Sequence, residues 1–407
     1  MAGTVPESRH CSCNTNAMDA PEHVLLATPS SSVRGAPHLV DATMFWSSAG
    51  GGVARYLRDK HRWALREAGW QHTFVVPGAC ETPGVCIGGV RLPFSGGYRF
   101  PLLRQRHAHL LAALEPDVIE AGDPYCLAWS ALDAAARCGS AVATFCHSNL
   151  IAEAQRWFGG PGRVAARTYL RRLLRRFDLV MAASRWMVNE MRELGLDNVV
   201  HQPLGVDLEH FNPSRRSAQW RRELDLADDA IVLAYVGRFA PEKNLGLLVE
   251  MVDTLGEPYV LVAQGAGPCP PRGGRVRVLP YSADPRDVAV TLASADVFVH
   301  AGTRETFGLA ALEALACGTP VVLPASAGFL DLIDGRAAIG VGGSTAGRLA
   351  EGVRALRDQS PQALRQYALK AAGPFDQRRT FGRQFERYAA LMRRRPQPAR
   401  IGELRRA

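Results

Sequence analysis

Apolar and polar positions follow one another in two series along the chain, in which short apolar runs of strand length alternate with stretches of helical periodicity. The apolar runs of the first series are residues 38–41, 74–76, 118–120, 141–145 and 179–182, with a helical stretch at 53–67 after the first of them. Alternation of this kind predicts a parallel sheet covered by helices on both faces.

The second series repeats the pattern after a turn-rich segment at residues 202–207, where we place a domain boundary. Its apolar runs are residues 231–236, 259–263, 276–279, 297–300 and 321–323, with helical stretches that include 285–294 and 310–316. Two doubly wound α/β sheets in tandem are therefore expected. Their carboxyl edges would face each other across a cleft, and a ligand would lie in that cleft.

Composition indicates an ordinary globular protein, since 47% of the 407 residues are hydrophobic. No window reaches the roughly 18 uninterrupted apolar residues of a transmembrane helix, and the N-terminus lacks a basic segment before an apolar stretch. We therefore expect a cytoplasmic protein, or one at the inner face of the membrane with peripheral contact only. The nine cysteines are scattered without C-x-x-C pairs, which favours reduced thiols and no metal site.

Charge changes this picture in one region. The formal net charge is +9, and residues 156–176 hold seven arginines with no acid among them. Apolar residues such as Leu173 and Leu174 lie between these arginines, so one helix face would be apolar and the other rich in guanidinium groups. Contact with an anionic membrane through Arg163 to Arg176 is one interpretation. A solvated helix flank packed on its own domain is the other, and the sequence leaves both open.

Two segments suit a phosphate group. The glycines Gly50, Gly51 and Gly52 precede the first helix, where backbone and helix N-terminus can approach a phosphate closely. Arg238 and Lys243 follow the opening strand of the second half, where they could hold a diphosphate together. A plain turn and two solvated cations are the alternatives for these segments. The dinucleotide motif G-x-G-x-x-G and the nucleotide-binding loop G-x-x-x-x-G-K-[ST] are both absent.

Three further residues suit a ligand rich in hydroxyl groups. His147 follows a strand of the first half and would face the cleft, unless it is a satisfied structural histidine. Glu305 and Glu313 stand eight positions apart, which is close to two helical turns, so both could face one cleft. Glu313 lies among leucine and alanine residues, where an unpaired carboxylate would be costly. We therefore expect it to have a partner.

These segments, taken in order, resemble the retaining glycosyltransferases of family 4, which have the GT-B fold of two Rossmann-like domains facing a central cleft. The resemblance covers about residues 36–390 and rests on these segments: Gly50-Gly51-Gly52-Val53, His147, Gly237-Arg238-Phe239 with Lys243, Gln264-Gly265-Ala266-Gly267-Pro268, and Glu305-x7-Glu313 around Thr306-Phe307-Gly308. Within the family, the chain is similar to α-mannosyltransferases that use GDP-mannose. Gln264 departs from the acid that many members carry at this position, so a role for its side chain is in doubt.

The resemblance implies a role for each matching residue. Arg238 and Lys243 would hold the donor diphosphate, and Glu313 would accept hydrogen bonds from the nucleotide ribose. His147 would touch the sugar near the reacting carbon, and Glu305 would position that sugar rather than attack it. The other residues implied to bind substrate are Gly51 and Gly52 over the phosphates, and Thr306, Phe307, Gly308 and Leu309 around the sugar.

The resemblance also implies a division of the chain. We expect a flexible leader at 1–35, an acceptor domain at 36–203, a nucleotide-sugar donor domain at 204–375, a helix at 376–392 that crosses back to the first domain, and a basic tail at 393–407.

The implied activity is retaining transfer of a hexose, with mannose from GDP-mannose as the first candidate, to a lipid or glycan acceptor. No cofactor is expected, and no metal, because the chain has no Asp-x-Asp. A UDP-sugar-dependent transferase of the same fold is the first alternative. A two-carboxylate glycosidase is a second, although it would leave Arg238 and Lys243 without a task. A basic adaptor for anionic surfaces or nucleic acid is a third, although the chain lacks the aromatic interleaving typical of nucleic-acid binding.

Overall fold

The computed structural model describes residues 35–46, 51–78, 84–92 and 97–394, and within them the chain forms two parallel sheets. The first sheet has seven strands in the order β3-β2-β1-β6-β7-β8-β9. Its strands are β1 (His38–Ala42), β2 (Gln71–Pro77), β3 (Gly84–Ile87), β6 (Val118–Ala121), β7 (Ala141–Cys146), β8 (Leu179–Ala182) and β9 (Val199–His201). A separate antiparallel hairpin pairs β4 (Val90–Arg91) with β5 (Arg99–Phe100).

The second sheet has six described strands in the order β12-β11-β10-β13-β14-β15. They are β10 (Ile231–Val236), β11 (Tyr259–Gly265), β12 (Val276–Pro280), β13 (Val297–Val299), β14 (Val321–Pro324) and β15 (Ala338–Val341). In each sheet the strand order reverses beside the opening strand, between β1 and β6 and between β10 and β13. Ligands of doubly wound sheets bind at the carboxyl ends of the strands on either side of this reversal.

Helices cover both faces of each sheet. Those of the first half are α1 (Gly52–Trp63), which continues as a π-helical turn at Ala64–Ala68, α2 (Arg104–Ala113), α3 (Cys126–Cys138), α4 (Leu150–Leu174) and α5 (Arg185–Arg192). The second half contains α6 (Ala218–Glu223), α7 (Leu245–Leu255), α8 (Pro285–Ser294), α9 (Leu309–Ala316), α10 (Ala346–Arg357), α11 (Pro361–Ala372) and α12 (Gln377–Arg394). The predicted fold of two doubly wound α/β domains is thus confirmed.

The central strands were predicted from the sequence because they are buried. Every residue of β6 and of β8 is buried, because helices cover both faces of a parallel sheet and the strands between them must be apolar throughout. The strands that the sequence did not reveal are β3, β9 and β15, together with the hairpin. Those three lie at sheet edges and have only three or four residues each, so their apolar signal is weak, whereas β12, the other edge strand, has five residues and was predicted.

Three expectations concern residues at the limits of the described structure. The predicted leader at 1–35 lies outside the described residues except for Gly35, and the predicted basic tail lies outside them except for Arg393 and Arg394. Gly50 is also outside them.

The expectation of reduced thiols throughout is wrong at Cys86, which is disulfide-bonded. The described free cysteines are Cys126, Cys138, Cys146, Cys269 and Cys317.

The last helix packs on the first domain. At the start of α12, the N–H of Val206 donates to the carbonyl of Phe375, and the N–H of Gln377, the first residue of the helix, donates to the carbonyl of Val206. Further along α12, Phe385 lies against Trp63 and Trp70, with ring centroids 4.9 and 5.3 Å apart. These contacts fix α12 against the face of the first sheet that α1 also covers.

Beneath α12 the first domain buries a cluster of charges. Lys60, which has no exposed surface, lies 3.0 Å from a carboxylate oxygen of Asp41 and 3.0 Å from one of Glu120. The hydroxyl of Tyr388 donates to the other oxygen of Glu120, and the ring of His72 lies 2.5 Å from Asp41. Burial, with Lys60 next in effect, lowers the pKa of His72 well below its ordinary value. The two carboxylates therefore depend on Lys60 for their counter-charge.

Replacing Lys60 by methionine should destabilise the protein by about 3–5 kcal/mol, because Asp41 and Glu120 would remain buried without their shared cation. The measurement is the thermal unfolding midpoint of wild type and variant. Arg378→Met is the matched control, since it removes an exposed ion pair with Glu209 and should cost less than about 1 kcal/mol. Equal midpoints for Lys60→Met and the control would contradict this account of the cluster.

Candidate active site

The first-domain side of the cleft is formed by loops at the carboxyl ends of β1 and β7. His147 follows β7, and its ring stacks on Phe145 with centroids 4.4 Å apart and meets the edge of Tyr56 at 5.1 Å. Burial lowers the pKa of His147 to about 4. The imidazole is therefore neutral at pH 7, so one of its ring nitrogens can donate a hydrogen bond and the other can accept one.

The described glycines of the first loop lie opposite the second domain. Gly51 has a φ of 144° and caps α1 without a side chain, and a Cβ there would meet the hydroxyl of Tyr98 at 3.3 Å. A Cβ on Gly52 would face the side chain of Leu309, at the start of α9, at 4.0 Å. The loop thus brings bare backbone close to the opposite domain, which is the approach that a phosphate requires.

Glu305 is the best-partnered carboxylate on the second-domain side. It forms an ion pair with the ammonium group of Lys243, and His300 Nε2 lies 3.4 Å from the same oxygen. The backbone N–H of Gly302 donates to His300 Nδ1 at 3.0 Å, so Nε2 carries the hydrogen that faces Glu305. Burial raises the pKa of Glu305, but Lys243 and His300 together outweigh it and hold the pKa well below its usual range. Glu305 is ionised at all physiological pH values.

Arg238 lies on the same side but faces outward. Its guanidinium group pairs with Glu242 at 3.0 Å and is about half exposed. The loop that carries Arg238 packs closely on two glycines of the loop after β11. A Cβ on Gly265 would lie 1.9 Å from the carbonyl of Gly237, and one on Gly267 would lie 2.4 Å from the carbonyl of Phe239. Only glycine permits this close packing of the loops after β10 and β11. Arg238 is therefore an exposed cation on a rigid base.

The segment between Glu305 and α9 joins the two sides. The hydroxyl of Thr306 donates to the carbonyl of His147 at 3.1 Å, across the cleft. Phe307 is buried against Phe375 and so serves packing, while Gly308 has a φ of 97° and no room for a side chain beside Phe329. Gly308 caps α9 without a side-chain hydrogen bond, which leaves the N–H groups at the start of α9 available for a ligand.

Glu313 is placed differently from Glu305. It lies inside α9, whereas Glu305 lies in the loop four residues before that helix begins. Glu313 has the partner that we expected, and the partner is Arg55 of α1, in the other domain. Its second carboxylate oxygen, Oε2, is buried without a hydrogen-bond partner among the described residues. Burial raises the pKa of Glu313 to about 7, against the opposing effect of Arg55.

Two side chains of this candidate site, His300 and Arg55, were not predicted from the sequence. His300 was included only in an apolar run, although its place at the carboxyl end of β13 is the same signal that identified His147. Arg55 had a weaker signal, namely its position in the first turn of the helix after the glycine loop. Its pairing with Glu313 joins residues 258 positions apart, which no local pattern records.

The arginine-rich segment is away from these contacts, on α4. Arg163, Arg171 and Arg172 are exposed there, whereas Leu173 and Leu174 are buried in the first domain. Within the described part of the chain, each helix is too short or too polar to cross a bilayer.

Comparisons with known proteins agree with this architecture. Residues 50–210 match the family model Glycosyltransferase Family 4, and residues 216–371 match Glycosyl transferases group 1. A GDP-mannose-dependent α-(1-6)-phosphatidylinositol dimannoside mannosyltransferase of Mycobacterium tuberculosis is 30% identical over 321 residues, which are 72% of this chain and 81% of that protein. A GDP-mannose-dependent α-mannosyltransferase of Corynebacterium glutamicum is 27% identical over 55% of each chain.

Solved structures show the same fold. Sucrose-phosphate synthase from Thermosynechococcus elongatus superposes with a TM-score of 0.70 at 19% identity, covering 88% of this chain and 100% of that one. Anabaena HepE in complex with UDP-glucose gives a TM-score of 0.70 at 17% identity, covering 87% and 99%. At such identities the likeness concerns the fold alone.

Replacing Glu313 by glutamine should remove a pH dependence of stability. The folded pKa of about 7 lies above the ordinary value of 4.5, so the folded state binds the proton more tightly and wild-type stability falls as pH rises through this interval. The fall attributable to Glu313 is up to about 3 kcal/mol. Unfolding midpoints of wild type and Glu313→Gln between pH 4.5 and 8 measure it.

The control for this experiment is Glu209→Gln, which also removes a glutamate paired with an arginine, but an exposed one. It should leave the wild-type pH profile unchanged. A Glu313→Gln profile parallel to that of wild type would show that Glu313 titrates normally.

Proposed function

This chain belongs to glycosyltransferase family 4, and we propose that it transfers a mannosyl group from GDP-mannose to a lipid or glycan acceptor, with retention of configuration and without a metal ion. Membership in the family sets aside the glycosidase and adaptor alternatives. The choice of mannose and guanine draws support from the two relatives named for GDP-mannose, and the choice of a lipid draws support from the one named for phosphatidylinositol dimannoside.

The observation that carries the proposal is the partnering of Glu305. A carboxylate that is ionised throughout the physiological range and fixed by Lys243 and His300 can accept hydrogen bonds from sugar hydroxyls without taking their protons. The same fixation makes Glu305 a poor nucleophile, because Lys243 and His300 already stabilise its charge. We assign Glu305 to positioning the transferred sugar, with the backbone N–H groups at the start of α9 beside it.

The nucleotide end would be held by Glu313. Its buried oxygen Oε2 needs a hydrogen-bond donor, and a ribose hydroxyl supplies one. Arg55 occupies the other oxygen and would orient the carboxylate for this contact. Donor binding would then be coupled to closure of the cleft, since Arg55 comes from the first domain.

Arg238 and Lys243 would bind the diphosphate between these two ends. Donor binding would replace Glu242 as the partner of Arg238, and Gly51 and Gly52 would approach the phosphates from the first domain. In the transfer step the bond from sugar C1 to the phosphate oxygen breaks and a bond from C1 to the acceptor oxygen forms on the same face. The acceptor proton passes to the departing phosphate oxygen.

Three side chains would assist this step. Arg238 and Lys243 stabilise the negative charge that develops on the leaving group, which is the task that a metal ion performs elsewhere. The sequence has no Asp-x-Asp, and no group of three or more potential metal ligands occurs within the described residues. His147, neutral at pH 7, would hydrogen-bond the sugar near C1 from the first domain.

A screen of nucleotides by thermal shift tests the base of the donor. GDP at 100 times its dissociation constant should raise stability by about 2.7 kcal/mol, whereas UDP and ADP should have little effect at the same concentration. A larger shift with UDP would favour the UDP-sugar alternative. No shift with any nucleotide would contradict the donor site itself.

Kinetics of two variants separate the roles of the charged residues. Glu313→Ala should raise the KM for the donor at least tenfold with a smaller change in kcat, because it removes a binding contact to the ribose. Lys243→Ala should lower kcat by roughly 10²–10³-fold, because it removes stabilisation of the leaving group. Glu209→Gln serves again as the control. Near wild-type kcat for Lys243→Ala would require a different diphosphate clamp.

A further inference from the structure

Helix α4 is bent near its middle. Gly159 has φ 62° and ψ −147°, outside the helical region, and Gly160 and Pro161 follow it. The proline cannot donate a helical hydrogen bond and the glycines allow the change of direction, so the sequence itself fixes the bend. One arm of α4 precedes the bend and the other continues from it to Leu174.

The bend exposes a group of large apolar side chains. Trp157 is 70% exposed, Phe158 73% and Val164 65%, and these are the three highest values among the exposed large hydrophobic residues of the described structure. They fall within eight consecutive positions. Exposed apolar residues scattered singly need no explanation, but a group of this kind marks a surface that another phase or molecule covers.

Positive charge surrounds the same group. Arg156 and Arg163 are exposed directly beside Trp157 and Val164, and the guanidinium group of Arg156 lies 5.4 Å from the centre of the Trp157 ring. No acidic residue occurs from residue 154 to residue 177. Of the seven arginines here, Arg167 has an ion pair among the described residues, with Glu193 at 3.7 Å. Trp157, Phe158 and Val164 thus form an apolar tip, and the exposed arginines around it form a cationic rim. This combination complements an anionic lipid surface.

The tip also lies close enough to the cleft for one lipid molecule to reach both. Helix α4 begins at Leu150, three residues after His147, and Asn149 caps it by accepting a hydrogen bond from the backbone of Ala152 at 3.0 Å. The rise from Leu150 to Trp157 is about 10 Å at 1.5 Å per residue. A lipid whose polar head reaches the cleft could therefore keep its chains in a bilayer that touches the tip.

We propose that the bend of α4 is a membrane-docking surface, in which Trp157, Phe158 and Val164 enter the interface of an anionic bilayer while the adjacent arginines contact lipid phosphates. Tryptophan suits this position because its ring is apolar at one end and polar at the other. The inference rests on the proposed function only in the choice of a lipid acceptor; the docking itself requires no particular donor.

A second copy of the chain is a poorer occupant of this surface. A symmetric contact would bring the same patch of each copy together, and arginines would face arginines without an acid between them. A bilayer containing anionic lipid offers many mobile negative charges at the same depth as its apolar layer. Charge complementarity thus favours the membrane.

Flotation with lipid vesicles tests the proposal without substrate. Wild-type protein should bind vesicles of phosphatidylcholine with 30% phosphatidylglycerol and should bind pure phosphatidylcholine far more weakly. Trp157→Ser/Phe158→Ser should reduce binding to the anionic vesicles at least tenfold. Arg156→Gln/Arg163→Gln should reduce it about thirtyfold, roughly fivefold for each arginine, and should weaken its dependence on salt.

Val278→Ser is the matched control, since it removes a half-exposed apolar side chain from the second domain and should bind as wild type does. Unchanged unfolding midpoints establish that each variant is folded. Equal binding of wild type to neutral and anionic vesicles, binding to neither, or unaltered binding by the Trp157/Phe158 variant would overturn the proposal. Wild-type dimers in light scattering that Trp157→Ser/Phe158→Ser dissociates would assign the surface to a second copy instead.

A negative vesicle result and a failure of the proposed function remain distinguishable. Nucleotide binding is measured by thermal shift without lipid, and flotation is measured without nucleotide. Binding of GDP without binding of vesicles would contradict the docking proposal alone. Binding of vesicles without a response to any nucleotide would contradict the proposed donor site alone.

Discussion

A carboxylate that leaves water must gain a counter-charge or take up a proton, and this constraint organises both sides of the cleft. In the first domain Lys60 supplies the single cation that Asp41 and Glu120 share beneath α12, and burial raises the pKa of Glu120. In the second domain Lys243 keeps Glu305 ionised. Between the domains Arg55 reaches Glu313, whose pKa burial raises to about 7, so that this carboxyl group is about half protonated at pH 7. The three carboxylate environments therefore differ: one shares a cation, one is held ionised and one is partly protonated at pH 7.

These ion pairs restrict how the last helix packs on the first domain. Glu120 receives the hydroxyl of Tyr388 as well as facing Lys60, so the charge cluster of the first domain also anchors the last helix. Tyr56 of α1 stands between that cluster and the active site, since it accepts a hydrogen bond from Gln384 at 2.6 Å and also meets the ring of His147. The packing of α12 and the orientation of His147 are therefore parts of one structure, and a buried ion pair outside the cleft contributes to the shape of the cleft.

The architecture could be predicted from sequence because central parallel strands must be apolar along their whole length, as β6 and β8 are. The edge strands β3, β9 and β15 lack that requirement and are also shorter than β12, the edge strand that was predicted, so they were missed. Residues at the ends of central strands were found for the same reason, His147 and Arg238 among them. Arg55 was missed, because its position after the glycine loop is a weak signal and its partner Glu313 lies on a distant helix. The spacing of Glu305 and Glu313 predicted that both could face one cleft, and the structure places Glu305 in the loop before α9 and Glu313 within that helix.

If the paired carboxylates and cations of the cleft form one nucleotide-sugar site, a crystal structure of the protein with GDP-mannose will show it. We expect the ribose hydroxyls at Glu313, the diphosphate between Arg238 and Lys243, and the sugar at Glu305 with His147 near C1. A nucleotide bound elsewhere, or one whose ribose does not touch Glu313, would refute a shared site.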